Sequence, residues 1–281
     1  MNSPPFTLVN GVPADSVAVT DRGLAYGDGL FETVQLRLGR PLLLNLHLAR
    51  LRLGCERLAL DAPALLTDLQ SDLAQLAQLC NLQDYGVLKI LITRGSGGRG
   101  YLPVTGMSCT RILMLSVMPD YPDHPAEAGV RVRWCDMTLA LNPRLAGIKH
   151  LNRLEQVLAR SEWNDPSIRE GLLCDTEGHV VEGTMSNLLW VSAGILYAPL
   201  LDRCGVAGVI RTRLLVLAAG AGIAIVEGRF AKSELEQADE VMLCNSLIDI
   251  WPVVALGNRH WPTGPVTRQL QSLLAEDYLA C

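Results

Sequence analysis

The run Leu145-Ala146-Gly147-Ile148-Lys149-His150-Leu151-Asn152-Arg153-Leu154-Glu155-Gln156 carries one of only three lysines in a chain of 281 residues that holds 21 arginines. A chain that meets its need for positive charge with arginine makes each remaining lysine worth questioning. Arginine neither forms a Schiff base nor loses its proton near neutral pH, whereas lysine does both. Lys89 lies in Val87-Leu88-Lys89-Ile90-Leu91-Ile92, where strand alternation puts it on an outer face, and Lys232 in Ala231-Lys232-Ser233-Glu234 reads as a solvated charge. Lys149 follows a flexible glycine and precedes an amphipathic run. The ordinary reading of such a lysine is a solvated helix start; its scarcity and its flanks favour a presented amine instead.

An amine of that kind works on a carbonyl, and the chain supplies the other parts that a phosphate-bearing aldehyde cofactor needs. Glu182, in Val181-Glu182-Gly183-Thr184-Met185-Ser186-Asn187, ends a strand in a small polar turn where a carboxylate can hold a ring nitrogen protonated. Arg50 projects from a helical segment and can pair with a phosphate. Gly208-Val209-Ile210 opens a helix whose free N–H groups and dipole suit an anion. Ser246, after Cys244-Asn245, offers a hydroxyl. Each has a plainer reading beside it: Glu182 an exposed turn carboxylate, Arg50 a helix arginine paired locally with Glu56. Their joint presence, in this order, carries the weight.

Periodicity divides the chain into two parts. Phe6 to Val9 and Ser16 to Val19 flank the turn Asn10-Gly11 and read as a hairpin. Phe31 to Leu38, Pro41 to Leu44, Gly86 to Thr93 and Arg111 to Val117 read as strands. Helices are expected from Asn45 to Leu58 and from Pro63 to Cys80. Residues 118–125, with three prolines in Met118-Pro119-Asp120-Tyr121-Pro122-Asp123-His124-Pro125, form an expected linker between a small N-terminal domain (1–117) and a larger C-terminal one (126–281). Beyond it, strands are expected at Val130 to Cys135, Gly171 to Cys174, Val180 to Glu182, Asn187 to Val191, Ile195 to Tyr197 and Glu240 to Cys244. Helices are expected at Leu151 to Trp163, Gly208 to Ala219 and Val266 to Tyr278. The stripe Leu151, Leu154, Val157, Leu158 reads as packing against the core.

Composition narrows the function classes. A net charge of −5 with no basic stripe argues against a nucleic-acid surface. No run of about 18 apolar residues occurs, so no membrane span is expected. Met1-Asn2-Ser3-Pro4-Pro5 shows no secretory signal, and eight cysteines without a CxxC pair read as free thiols, consistent with the cytoplasm. The five histidines lack metal-ligand spacing, so no metal is expected. Arg94-Gly95-Ser96-Gly97-Gly98-Arg99-Gly100-Tyr101 lacks the Lys-Ser/Thr ending of a phosphate-binding loop and leads to a strand rather than a helix, which excludes nucleotide binding there. Ser186 and Ser246 have no nucleophile-elbow surroundings.

Tyr26-Gly27-Asp28-Gly29-Leu30-Phe31-Glu32-Thr33, His47-Leu48-Ala49-Arg50-Leu51, Lys149, Glu182-Gly183-Thr184-Met185-Ser186-Asn187 and Gly208-Val209-Ile210-Arg211 together resemble the fold-type IV pyridoxal-phosphate enzymes, over essentially the full length. That group includes branched-chain and D-amino acid aminotransferases and aminodeoxychorismate lyases. The Arg94–Tyr101 and Leu145–Gln156 runs most resemble the bacterial aminodeoxychorismate lyases. The resemblance implies a two-domain α/β (α+β) fold with pyridoxal 5′-phosphate held between the domains, and a homodimer. It implies Lys149 as the catalytic lysine, Glu182 at the pyridine nitrogen, and Arg50, Val209, Ile210 and Ser246 on the phosphate. Arg99 and Tyr101 fall where relatives bind substrate carboxylates, with Arg94 and Arg211 as further candidates. Phe31 stands where some aminotransferases have tyrosine. The implied activity is elimination of pyruvate from 4-amino-4-deoxychorismate to give 4-aminobenzoate for folate. An aminotransferase, or a cofactor-binding protein with little catalysis, shares the same cofactor residues.

Overall fold

The computed structural model describes residues 5–280, in two compact units. The first comprises residues up to Pro119 together with Ile148–Asn152; the second comprises Asp120–Gly147 and Arg153 onward. The five residues around Lys149, expected with the C-terminal part, are thus grouped with the N-terminal one. Expected residues Met1 to Pro4 and Cys281 lie outside the described ones.

Unit 1 contains β1 (Phe6–Val9), β2 (Val12–Pro13), α1 (Arg22–Tyr26), β3 (Gly29–Arg37), β4 (Arg40–Pro41), α2 (Leu44–Arg57), α3 (Ala62–Leu79), β5 (Val87–Thr93) and β6 (Thr110–Ser116). They build an antiparallel sheet in the order β2-β1-β6-β5-β3-β4. Alternation decides its two faces. Leu30, Glu32, Val34 and Leu36 of β3, Leu88, Ile90 and Ile92 of β5, and Leu113 and Leu115 of β6 are buried, together with Leu51 and Cys55 of α2 and Leu66, Leu69 and Leu76 of α3. Lys89 is exposed on the opposite face, as the alternation predicts. Gly54 of α2 lets helix and sheet approach closely: a Cβ there would stand 2.7 Å from the Leu30 methyls.

The expected strand at Ser16 to Val19 is absent. Asn10 and Gly11 both have positive φ, 51° and 78°, which makes a two-residue hairpin turn. The returning strand therefore starts at once, at Val12 opposite Val9, and Pro13, which has no N–H to donate, ends it. The expected strand from Pro41 to Leu44 shrinks to Arg40–Pro41, because α2 begins at Leu44 rather than after an Asn45 cap.

Unit 2 contains α4 (Pro125–Ala128), β7 (Val130–Leu139), α5 (Leu154–Arg160), β8 (Ile168–Asp175), β9 (Val180–Gly183), β10 (Asn187–Ser192), β11 (Ile195–Pro199), α6 (Val209–Gly220), β12 (Ile225–Gly228), α7 (Lys232–Glu236), β13 (Glu240–Asn245), β14 (Asp249–Leu256), β15 (Arg259–His260) and α8 (Pro265–Ala280). The sheet order is β12-β11-β10-β13-β14-β7-β8-β9, and β9 pairs back onto β10 through Glu182 opposite Asn187. Six strands therefore close a ring. β10 and β13 are buried along almost their whole length, so they read as continuous apolar runs rather than alternating ones. Trp190 fills the middle, stacked on Tyr197 at 5.9 Å and edge-on to Phe230 at 4.9 Å.

Three strands of this unit went unanticipated: β12, β14 with its internal Pro252, and the short β15. The helix expected from Leu151 starts only at Leu154. Its apolar stripe does not pack inward either: Leu154, Val157 and Leu158 are 75%, 56% and 57% exposed, and Ala159 is the buried residue. The described cysteines are free, and burial pushes the thiols of Cys55, Cys135, Cys204 and Cys244 up to about 12. No helix among the described residues is long and apolar enough to cross a membrane.

Trp190→Ala should cost about 3–5 kcal/mol, since the ring cannot be replaced without a cavity between Tyr197 and Phe230. Urea unfolding followed by circular dichroism checks this.

Candidate active site

Lys149 is fixed by its backbone. Its C=O accepts from Phe31 N at 2.9 Å, Leu151 N donates to Gly29 O at 3.0 Å, and His150 lies antiparallel to Leu30. The segment thus lies against the first half of β3 as a short extended piece. Extended pairing and helix are mutually exclusive, which is why α5 starts late. Lys149 Nζ lies 4.5 Å from the centre of the Phe31 ring, and Lys89 Nζ lies 5.6 Å from the same ring.

On the buried side of β3, Glu32 collects the neighbouring cations. Arg50 Nε donates to Oε1 at 2.8 Å and Arg50 Nη2 to Oε2 at 2.5 Å, a two-pronged pair; His47 Nδ1 meets Oε2 at 2.6 Å. Burial pushes the Glu32 carboxyl up, but the Arg50 charge and the bonds from Arg50 and His47 outweigh it and bring it to about 2. Burial favours the neutral form of His47, helped by the Arg50 and Lys149 charges and opposed by Glu32. Lys149, Phe31, Glu32, His47 and Arg50 therefore form one electrostatic neighbourhood within unit 1. Glu32 and His47 were not singled out as site residues from sequence; the i, i+3 spacing of His47 and Arg50 on one helix was the available signal.

Within unit 2, Glu182 is buried where the strand ring closes, and its Oε2 accepts from Val206 N at 2.8 Å. Asn187, opposite it, donates from Nδ2 to Val206 O at 2.8 Å. Arg153 lies close enough for its charge to feel Glu182, which offsets the burial that lowers the arginine. Gly208 is the N-cap of α6 and has no side chain of its own to cap the first amides, those of Val209 and Ile210. A Cβ on Gly208 would stand 1.9 Å from Asn187 Oδ1, so only glycine fits. Ser246 lies in the turn after β13, and Asn245 Nδ2 donates to Met185 O at 3.1 Å, which ties that turn to the one after Glu182.

That second turn is organised by Glu170, which sequence reasoning missed. One buried carboxylate accepts from Gly171 N, Thr184 N, Thr184 Oγ1, Met185 N and Ser186 Oγ at 2.5 to 3.1 Å. Burial raises its carboxyl against the pull of these bonds. Residue type alone carries no such signal, because Glu170 lies within β8, 12 residues before Glu182.

Arg94 and Arg211 are committed elsewhere. Arg94 donates to both Asp28 oxygens and to the carbonyls of Leu58 and Ala59; Arg211 donates to Pro199 O and Glu227 Oε2. Arg99 and Tyr101 are exposed in the loop between β5 and β6. At the β8–β9 turn, Asp175, Glu177 and His179 bring possible metal ligands within 4.8 Å of one another. There the Asp175 oxygens already meet Glu177 N, His179 N and His179 Nδ1, the wiring of a tight turn.

Residue by residue, the set fits a phosphate-bearing pyridine aldehyde: an amine, a buried carboxylate, helix N-terminal amides, an arginine and a hydroxyl. The family model described as amino-transferase class IV matches residues 29–256. The chain is 35% identical over 274 residues to an aminodeoxychorismate lyase of Vibrio harveyi, covering 95% of this chain and 98% of that protein. It superposes on the crystal structure of 4-amino-4-deoxychorismate lyase from Pseudomonas aeruginosa with a TM-score of 0.89 and 51% identity, covering 96% and 98% of the two chains. The pyridoxal-phosphate-bound form of a hypothetical aminotransferase from Mycobacterium tuberculosis, 20% identical over 98% of this chain and 99% of that one, shares the fold with a TM-score of 0.84.

The depression of Glu32 is worth on the order of 3 kcal/mol of stability, present above about pH 4.5 and lost as the pH falls through about 2. Glu32→Gln should therefore be less stable than the parent at pH 7, with the difference shrinking as both are titrated from pH 5 towards pH 2 in chemical denaturation. Glu170→Gln turns an acceptor into a donor facing donors, and should lower cofactor affinity at least about tenfold, read by fluorescence titration.

Proposed function

We propose, from the premise that the chain belongs to the amino-transferase class IV family, that it is an aminodeoxychorismate lyase using pyridoxal 5′-phosphate. It eliminates pyruvate from 4-amino-4-deoxychorismate and leaves 4-aminobenzoate, a step in folate supply. The observation that carries this reading is near full-length similarity to two lyases, one of them 51% identical.

The bound cofactor supplies an aldehyde for the substrate amine and a ring that takes up electrons. Lys149 Nζ removes the proton from the substrate carbon bearing nitrogen and gives a proton back as the enolpyruvyl group leaves. Glu182 would hold the cofactor's ring nitrogen in its protonated form. Arg50, the Val209 and Ile210 amides and Ser246 hold the phosphate, with Glu32 keeping the Arg50 fork in one orientation. Arg99 and Tyr101 take the substrate carboxylates. Arg94 does not share that role, because its N–H groups serve Asp28 and the end of α2. Loss of the ether makes the ring aromatic, which drives the elimination.

The working form is a homodimer in the cytoplasm. The exposed Leu154, Val157 and Leu158 on α5 are an apolar stripe that a second copy covers, and the free cysteines suit a reducing compartment. Aminotransfer shares the early proton removal at Lys149, so substrate choice separates the two activities.

Lys149→Ala should lose the visible absorbance of bound cofactor and at least about a thousandfold in rate. Purified protein should release 4-aminobenzoate from aminodeoxychorismate faster than it makes pyruvate from D-alanine and 2-oxoglutarate; the reverse order would make it an aminotransferase. Leu158→Lys should shift the chain from dimer to monomer in sedimentation analysis, and an unchanged dimer would put the interface elsewhere.

A further inference from the structure

Arg22 has no part in the roles described above, yet it is a charged side chain only 4% exposed. All three of its nitrogens are spoken for: Nε donates to Asp28 Oδ2 at 2.9 Å, Nη1 to Gly100 O at 2.9 Å and Nη2 to Tyr101 O at 2.8 Å. Its guanidinium lies 4.8 Å over the Tyr26 ring, and that ring meets the Tyr101 ring at 5.4 Å. The Arg22 backbone N–H donates to Gly95 O as well, at the start of the same loop. Asp28 is shared with Arg94, which also donates to the Leu58 and Ala59 carbonyls at the end of α2. A line of alternating charge thus runs from that helix end, through Arg94, Asp28 and Arg22, to the backbone of the β5–β6 loop.

Around Gly100 the loop is open to solvent. Tyr101 and Leu102 are each 84% exposed, and Gly100, at φ +83°, has nothing within 4 Å of where a Cβ would stand. A guanidinium is buried at high cost unless its donors are matched, so Arg22 and the two carbonyls select one another's position strongly. We infer that Arg22 is a positioning residue for the substrate: by gripping the Gly100 and Tyr101 carbonyls it sets the backbone from which Arg99 and Tyr101 reach the substrate's carboxylates. This rests on the reading above that Arg99 and Tyr101 are the carboxylate ligands. Arg22 touches neither substrate nor cofactor and acts on binding; proton removal at Lys149 is independent of it.

The test uses the full-length holoenzyme with Arg22→Lys and Arg22→Met. Lysine keeps the charge beside Asp28 without the planar fork, and so keeps the test open should the methionine variant fail to fold. Limited trypsin digestion should cut after Arg99 about tenfold faster in the lysine variant. KM for aminodeoxychorismate should rise about tenfold, with kcat within about threefold of the parent and the absorbance of the bound cofactor unchanged. An unaltered cleavage rate after Arg99, or a fall in kcat with KM unmoved, would overturn the inference. If the parent fails to turn over aminodeoxychorismate, the lyase reading falls by itself; the split between KM and kcat is then taken with D-alanine, and the digestion reads the clamp whatever the substrate.

Discussion

Two backbone hydrogen bonds, Phe31 N to Lys149 O and Leu151 N to Gly29 O, decide where the segment around Lys149 lies. They take five residues out of the run of the second unit and lay them along β3 of the first. The lysine is thereby held on a strand edge, more rigid than a loop, with its amine over the Phe31 ring. Gly147, at φ +80°, supplies the turn that a residue with a Cβ would resist. The same pairing shortens α5 and leaves its apolar stripe outside.

Buried carboxylates do the local fastening. Glu32 gathers Arg50 and His47, Glu170 gathers the turn after Glu182, and Glu240 accepts from Val266 N, Thr267 N and Thr267 Oγ1 at the start of α8. Asp21 does the same for Gly23 N, Thr93 Oγ1 and Thr110 Oγ1. A carboxylate presents two oxygens with several lone pairs and no donor when ionised, so one such group fixes several donors at once. Those partners offset part of the cost of burying it. These anchors stand in different elements from the residues they orient.

That separation explains what could and could not be read from the chain. Period-two alternation placed Lys89 outward, on the face opposite Leu88, Ile90 and Ile92, because one face of that sheet is buried. Lysine scarcity singled out Lys149, the residue whose backbone pairs with β3. The mixed α/β fold-type IV architecture followed from motifs spread along the whole length. Local patterning failed where a distant partner decides: Leu151 looked helical but pairs with Gly29, and Leu154 and Leu158 looked like core but face outward. Glu170 and Arg22 were invisible for the same reason, since their partners lie 14 to 16 and 78 to 79 residues away. β14 was masked by Pro252, a residue that normally signals a break.

The buried thiols have a chemical consequence of their own. With Cys55, Cys135, Cys204 and Cys244 pushed up to about 12, essentially none of these sulfurs is a thiolate at neutral pH. Cys244 belongs to the strand that leads into Ser246, so a competing nucleophile there would stand close to any electrophile the serine helps to hold. With these four sulfurs masked and only three lysines in the chain, few side-chain nucleophiles are left to compete for an electrophile.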